Sequence, residues 1–379
     1  MKILHIADTH LGYSAYRKTT KEGINQREID VYNAFQNFID YALEIKPDLI
    51  IHAGDLFDSV RPNNRAITFA IKQILRLSKQ KIPFLVIAGN HEHPKLKETG
   101  HIFSVFDHIE HVYPIYNVKY EKKSFDFNNK KIVIHIIPQC EIKKEFNDSL
   151  KKVKPDSSAD YNIFVTHGAV AGIKVFTMNE FNELFIPVKV LSQNFDYIAL
   201  GHYHTFTKLA NNAYYSGSTE HFSFADANDK KGFIKLEFLN GKLKHEFIEL
   251  KIRSMIDLEP IECLNLKLDE IINKIKELIK NIDSKDKIFR ITLEGIPAHV
   301  YRGLDFREIK KISNEAIHYE IRANLVKEGG LKTSINSKIG SLTNEYNEFI
   351  ENQNLTEKEI LLELGLNYIE KIESKVEGK

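Results

Sequence analysis

The chain has 379 residues, 42% hydrophobic and 28% charged, enough for one large domain with smaller appendages. Its two cysteines, Cys140 and Cys263, exclude a disulfide framework and lack the paired spacing of a structural zinc site, so a reducing cytoplasm is the expected setting. A net charge of +1 with 53 Lys and Arg names no polyanionic partner, and neither an export signal nor an apolar run of about 18 residues is visible, so no membrane association is expected.

In chain order, the run ILHIA is a strand that stops abruptly in ADTH, residues 7 to 10. Further strand-length runs follow at DLIIHA, FLVIA, IVIHII, YNIFVT and DYIAL, several separated by helical periodicity, which is the pattern of layered α/β architecture. A first helix carries the apolar stripe Ile29, Tyr32, Phe35, Ile39 and Leu43 ahead of Pro47. A second follows Pro62 with Ile67, Ile71, Ile74 and Leu77. Both stripes read as core packing, with a subunit interface as the competing reading. Past residue 200 the pattern turns to hairpins, with Asn240-Gly241 as a two-residue turn, and predicts a second sheet packed beside the first. From 254 a smaller α/β unit is expected: a helix at 267–282, a strand at 287–294, a helix at 306–313 and a strand at 317–326. KEGGLKTSINSK then has linker composition. Two helical segments close the chain, and the second opens on Thr356 and Glu359 in capping-box spacing.

What stops the first strand recurs. Asp8 and His10, Asp55, Asn90 and His91, His167, and His202 with His204 each follow or end one of five apolar runs, beside turn glycines at 54, 89, 168 and 201. In open α/β sheets, residues beyond the carboxyl ends of the strands converge although they are distant in sequence. Imidazoles, carboxylates and an amide oxygen form a donor set suited to divalent Mn, Fe or Zn. The seven residues Asp8, His10, Asp55, Asn90, His167, His202 and His204 are too many for one ion. They suit two ions about 3.5–4 Å apart that share a carboxylate, an arrangement fitted to phosphoester displacement. Any one of these histidines alone would read as a surface or core residue; the shared context is what sets them apart. His5, His52, His93, His101, His108, His111, His135 and His221 lack that context and read as structural or surface residues.

The motifs DTH, GDLFD, GNHEHP, THGA and GHYH, in this order over residues 8–204, resemble the signature of the calcineurin-like metallophosphoesterases. Within that superfamily, DTHLGY, the insertion after it and Arg61-Pro62 after GDLFD look like the DNA double-strand-break repair nucleases of the Mre-eleven and SbcD type. The resemblance implies a four-layer α-β-β-α metallophosphoesterase sandwich with a smaller α/β capping domain and C-terminal helices. Residues 1–253 would be the nuclease domain, 254–327 the capping domain, 328–337 a linker, and 338–379 a helical segment docking on the coiled-coil base of an SMC-type, Rad-fifty-like ATPase. It implies that Asp8, His10, Asp55 and His204 hold one ion, and that Asp55 bridges to a second completed by Asn90, His167 and His202. Two Mn²⁺ ions are expected, with Mg²⁺ or another divalent metal as the alternative. His91 would not be a ligand; it would assist while water activated by the ions attacks phosphorus. The implied activity is 3′-to-5′ exonuclease and endonuclease cleavage at DNA ends, leaving a 5′ phosphate, in a cytoplasmic or nucleoid-associated protein. A homodimer is implied through helix 64–79 and the stretch 99–110, with Ile102, Phe103, Phe106 and Ile109.

One position departs from a common family form: many relatives read GDLFH, whereas Asp58 stands here. Asp58 either orients His91 by accepting its ring proton or replaces a dispensable group, and the balance of exonuclease and endonuclease activity turns on which holds. Tyr13, Tyr16 and Arg17 after the first motif, and Arg61 after the second, are candidate DNA phosphate contacts, with an ordinary solvated loop as the alternative. SGSTEHFSF, residues 216–224, resembles a family loop near the active site without an assigned role. Competing functions are a Ser/Thr phosphatase, whose usual GDxxDRG is absent here, a nucleotidase acting on a small phosphoester, and a structural subunit that tethers DNA ends.

Overall fold

A strand covered on both faces needs an apolar residue at nearly every position, because its side chains alternate between the faces. In β1 (Lys2–Ile6), Leu4 and Ile6 face one apolar cluster and Ile3 the other, all three fully buried. The same double burial recurs in β2 (Leu49–His52) and β3 (Phe84–Ile87). The protein is described by a computed structural model at residues 1–94, 100–140, 142–171, 185–239, 242–326, 346, 350, 358–362 and 364–366.

The strands that follow are β4 (Val112–Ile115), β5 (Glu121–Phe127), β6 (Lys130–Ile137), β7 (Tyr161–His167), β8 (Ala169–Val170) and β9 (Phe185–Ile186). After them come β10 (Tyr197–Gly201), β11 (Thr207–Ala210), β12 (Ala213–Tyr215), β13 (Gly232–Leu239) and β14 (Lys242–Glu249). β8 and β9 pair with each other; the rest form two six-stranded sheets, ordered β14-β13-β1-β2-β3-β4 and β11-β12-β10-β7-β6-β5. Strands β1 to β4 run parallel in the first, and β6, β7, β10 and β12 run parallel in the second. The sheets meet face to face through Ile3, Ile51 and Leu85 on one side and Ile134, Ile163, Val165 and Ala199 on the other.

Helices α1 (Gln26–Ile45) and α2 (Asn64–Lys79) cover the outer face of the first sheet, and Phe146 and Leu150 of α3 (Lys143–Leu150) cover that of the second. The result is the expected four-layer α-β-β-α sandwich. On α1 the stripe lies as expected, with Tyr32, Phe35 and Ile39 buried; the helix ends at Lys46, which caps it in the left-handed conformation. On α2 the buried face is shifted. Ala66, Ala70, Ile74 and Leu77 pack inward, while Ile67 and Ile71 are half-exposed, because two alanines let the helix lie close to the sheet. Phe103 and Phe106 are also inside this core, so of the four side chains expected at a dimer surface only Ile102 and Ile109 keep partial exposure.

A smaller sheet follows: β15 (Met255–Asp257), β16 (Ile261–Glu262), β17 (Ile288–Pro297) and β18 (His318–Val326), all parallel, with β17 central. Helices α4 (Leu268–Asn281), α5 (Ala298–Arg302) and α6 (Phe306–Ile312) accompany it. Ile271, Ile275 and Ile279 of α4 recur at a spacing of four and pack on Phe289, Ile291 and Leu293, giving this sheet its own core. The two long helices and two long strands expected here are present. β15, β16 and α5 were not anticipated, being too short to show a period.

Residues 1–326 form one compact unit and 327–379 a second, helical at 346, 350, 358–362 and 364–366. The expected linker 328–337, Thr356 and the Asn240-Gly241 turn lie outside the described residues; β13 and β14 pair in register up to Leu239 and Lys242. Among the described residues no helix is long and apolar enough to cross a membrane.

Candidate metal centre

The exits of β1 and β2 are zipped together before any side chain is considered. Asp8 N–H donates to Gly54 O (3.0 Å), Thr9 and His10 N–H to Asp55 O (2.9 and 3.0 Å), and Leu11 N–H to Leu56 O (2.8 Å). These bonds place the Asp8, His10 and Asp55 side chains beside one another. Asn90 and His91 follow β3, His167 ends β7, and His202 and His204 follow β10, so the carboxyl ends of both sheets supply the same site.

The seven residues read as ligands are brought together, and His91 joins them. His10 Nε2 lies 3.2 Å from His204 Nε2 and 3.8 Å from Asp55 Oδ2. His167 Nε2 lies 3.2 Å from Asp55 Oδ2 and 2.8 Å from Asn90 Oδ1, which is 3.2 Å from His202 Nδ1. Asp8 accepts from the His202 N–H at 3.0 Å. Donor atoms within 4.8 Å of one another form three overlapping groups: Asp8, His10 and His204; His10, Asp55 and His91; and Asp8, Asp55 and His167. Asp8, His10 and Asp55 each stand in two of them, so the groups run into one another around these three side chains.

Hydrogen-bond polarity tests whether cations fit. His167 Nδ1 lies 2.8 Å from the Ala53 carbonyl, which can only accept, so Nδ1 carries the proton. Nε2 therefore faces a carboxylate oxygen and an amide oxygen, and unless it too carries a proton the three are acceptors with no donor among them. That arrangement is electrostatically unfavourable until positive charge sits between the atoms, and orienting an imidazole by a carbonyl on its far nitrogen is how proteins present histidine to metals. The oxygen and nitrogen donors suit divalent transition ions.

Electrostatics agree. Burial raises the Asp55 carboxyl, but the imidazoles of His167, His10 and His91 outweigh it and hold it well below the usual carboxylate range. Asp8 is pushed up by burial and by the charge of Asp55, and Glu92 by the same two causes. Burial, then the proximity of His10 and Lys231, lowers His204.

The backbone is strained to make this possible. Asp8 (φ 52°), His10 (47°), Asp55 (55°) and His202 (107°) all have positive φ, a conformation that costs non-glycine residues about 1–3 kcal/mol each. Neighbouring glycines make room. A Cβ at Gly89 would collide with the Asp55 carboxylate, and one at Gly54, itself at φ 102°, with the His167 ring.

His91 has about a third of its side chain exposed. Its Nδ1 lies 3.0 Å from the main-chain carbonyl of Asp58 and 4.0 Å from the Asp58 carboxylate. The carboxylate is nearer to His10 Nδ1, at 3.2 Å, an atom that is buried and makes no well-aligned hydrogen bond. Of the DNA-contact candidates, Arg17 and Arg61 are exposed. Tyr13 instead donates its hydroxyl to Phe222 O (2.8 Å), and Tyr16 stacks on His318 of β18 at 3.8 Å.

Sequence reasoning missed several supports. Glu92, fully buried, accepts the Leu56 N–H; His52 bonds the Thr9 hydroxyl between two ligand candidates; and Lys231, fully buried, donates to His204 O (2.8 Å). Phe222 packs edge-on against both His10 and His204. Glu92 lies within GNHEHP, Phe222 within SGSTEHFSF, and His52 within DLIIHA, where it reads as a structural residue; Lys231 lies in no motif.

Comparison with known proteins bears on this centre directly. Residues 1–206 match the calcineurin-like phosphoesterase family. The DNA double-strand break repair protein Mre11 of Sulfolobus acidocaldarius is 30% identical over 376 residues, covering 95% of this chain and 92% of its own. That of Methanococcus maripaludis is 32% identical over 301 residues, covering 76% of each chain. A dimetal phosphatase from Danio rerio aligns over 66% of this chain and 97% of its own at 10% identity and a TM-score of 0.38, too low to support an inference. The chain belongs to the calcineurin-like phosphoesterases and, within them, to the Mre11-type DNA double-strand-break repair nucleases, hydrolases with a two-metal phosphodiesterase site.

Proposed function

We propose that this centre is a Mn²⁺-dependent nuclease, a 3′-to-5′ exonuclease and endonuclease acting at DNA ends. Asp8, His10, Asp55 and His204 would hold one ion; Asp55, Asn90, His167 and His202 would hold the other. The observation that carries this reading is the convergence of His167 Nε2, Asp55 Oδ2 and Asn90 Oδ1, with His10 and His204 beside them, in one cluster of nitrogen and oxygen donors. When bound, two divalent ions supply charge neutralisation at the phosphoryl oxygens and an activated water.

The chain's own residues supply position and protons. With Nδ1–H directed at the Asp58 carbonyl, His91 would use Nε2 to hold the proton destined for the leaving oxygen, and its exposure lets it reach a phosphodiester. The Asp58 carboxylate, nearer to His10 than to His91, serves the first ion's histidine more than the proton carrier. Arg17 and Arg61 would meet DNA phosphates, while Tyr13 and Tyr16 would shape the loop that presents Arg17. Residues 254–327 would act as a capping domain over the nuclease domain, 1–253. Helices in 338–379 would dock on a Rad-fifty-like ATPase; the exposed Ile360, Leu361 and Leu364 support that reading. A homodimer would use α2 and the 3₁₀ turn Ile102–Phe106 that comes after β3, whose exposed apolar side chains are Leu75 and Val105.

The test is cleavage of end-labelled linear DNA with Mn²⁺, repeated with His91→Ser. Loss of cleavage with metal still bound is expected. Full activity in the variant would remove His91 from catalysis and point to a contaminating nuclease, and an inactive wild type that still joins DNA ends would favour a tethering subunit.

A further inference from the structure

The segment 220–227 touches two different parts of the molecule within three residues. Phe222 turns toward the metal centre, its ring edge-to-face with His10 (4.7 Å), His204 (5.2 Å) and Tyr13 (4.8 Å). Phe224 turns the other way, into an apolar seat made by Met255, Ile288 and Ile317 of the small-sheet region, with Tyr16 against it. The Arg290 guanidinium lies over the Phe224 ring at 4.7 Å and is itself paired with Asp257.

The stretch between the two rings has little slack. The Asp226 carboxylate accepts the N–H groups of Phe222 (3.0 Å) and Ser223 (3.2 Å), and the Ser223 hydroxyl accepts the Ala225 N–H (3.2 Å). Upstream, His221 N–H donates to the Glu220 carboxylate, and buried Arg27 donates to His221 O. A displacement of Phe224 therefore passes to Phe222 with little loss. Phe222 in turn bears on two imidazoles whose lone pairs must be aimed within narrow limits to hold a cation; hydrogen-bonded partners of a ligating histidine change metal affinity by about 10–100-fold, and the lower end of that range is the scale for a packed ring.

We propose that Phe222 is a positioning residue for the His10–His204 pair, and that the small sheet sets Phe222 by gripping Phe224. The inference rests on the reading of His10 and His204 as ligands of one ion. It makes the 220–227 segment a mechanical link: the seating of the small sheet on Phe224 decides how well one of the two ion sites is formed.

The experiment is calorimetric titration of Mn²⁺ into metal-free full-length protein, with melting temperature recorded alongside. Phe222→Ala should weaken one of the two binding events by about tenfold and leave the other within about twofold. Phe222→Tyr, which keeps the ring, should restore most of the loss. Phe224→Ala and Arg290→Ala, both remote from the ligands, should weaken the same event by a smaller factor. A merely structural role would lower the melting temperature and both affinities together; that result, or unchanged affinities, would overturn the proposal. If Phe222→Ala does not fold, Phe222→Leu tests the same site selectivity. His204→Ala separates the two readings: unchanged binding would defeat the ligand assignment, whereas weakened binding there with Phe222→Ala unaffected would defeat only the positioning role.

Discussion

The large sheets and the small sheet are both built on parallel strands, yet only one of the two regions gathers chemistry at its strand ends. Beyond β1, β2, β3, β7 and β10 stand carboxylates, imidazoles and an amide, and four of those residues have positive φ. β17 and β18 end in Pro297 and Val326, and the core beneath them is apolar, with Cys263 among its isoleucines and leucines. Positive φ near the small sheet falls at Asp283, Asp286 and Gly295, away from any such cluster. Parallel topology brings strand ends together; it does not make a site. A site also needs residues that cost stability where they stand, and the large sheets carry a fully buried apolar layer on either side of each central strand with which to offset them.

The contrast can be broken at its extreme. Asp55→Asn removes the carboxylate charge proposed to be shared by the two ions, and phosphodiester cleavage should fall by about 10²–10³-fold or more while urea unfolding still shows a cooperative transition. A comparable loss from a core variant of the small sheet would erase the distinction. At the border between the regions, Asp30 on α1 accepts from Nε and Nη2 of Arg253, each at 2.7 Å, and from buried Arg27 at 2.8 Å, while Nη1 of Arg253 reaches the Asp286 carbonyl. Asp30→Asn should cost about 3 kcal/mol, measured by denaturant unfolding at pH 7, since it leaves buried guanidinium charge under-compensated.

That variant also has a pH signature. Burial alone would raise the Asp30 carboxyl, but Arg253 and then Arg27 outweigh it and hold it below its ordinary value. The stabilisation is therefore complete above the unfolded carboxylate range near pH 4 and disappears as pH falls through the lower folded value. Wild type should lose more stability than Asp30→Asn across that acid window, and parallel curves would refute the assignment.

A cavity on the α4 side of the small sheet, away from the seat of Phe224, should act on stability alone. Ile291→Ala is expected to cost about 2–4 kcal/mol, with Mn²⁺ affinity within about twofold of wild type. The smallest expected effect is on DNA contact: Arg17→Ala with Arg61→Ala should reduce the slope of log binding constant against log salt by about 2, with metal affinity unchanged.

Much of this organisation is legible in the residues themselves. Continuous apolar runs ending in Asp, Asn or His beside glycine mark both the buried parallel strands and the place where they deliver side chains, so the fold and the ligand candidates come from one pattern. What stays hidden has physical reasons. Nothing in the letters D and H announces a left-handed backbone at Asp8 or His10, because the conformation is imposed by hydrogen bonds to Gly54 and Asp55 across the sheet. Phe103 and Phe106 are placed at a dimer surface by the resemblance alone, and a single 3₁₀ turn has no period by which to tell its buried side. Tyr16 reads as a loop residue near DNA, and its partner His318 lies some three hundred positions away. Lys231 supports the ligand candidates from outside every motif, where one sequence carries no signal, and SGSTEHFSF does not mark Phe222 above its other side chains.

The four left-handed residues also set a hazard for anyone improving this protein. Glycine occupies that backbone region without steric cost, so glycine at 8, 10, 55 or 202 would relieve strain and remove a donor in one step. Selection for heat resistance alone would therefore drift toward a sturdier molecule that no longer cuts. A screen for hardier variants has to score cleavage at every round.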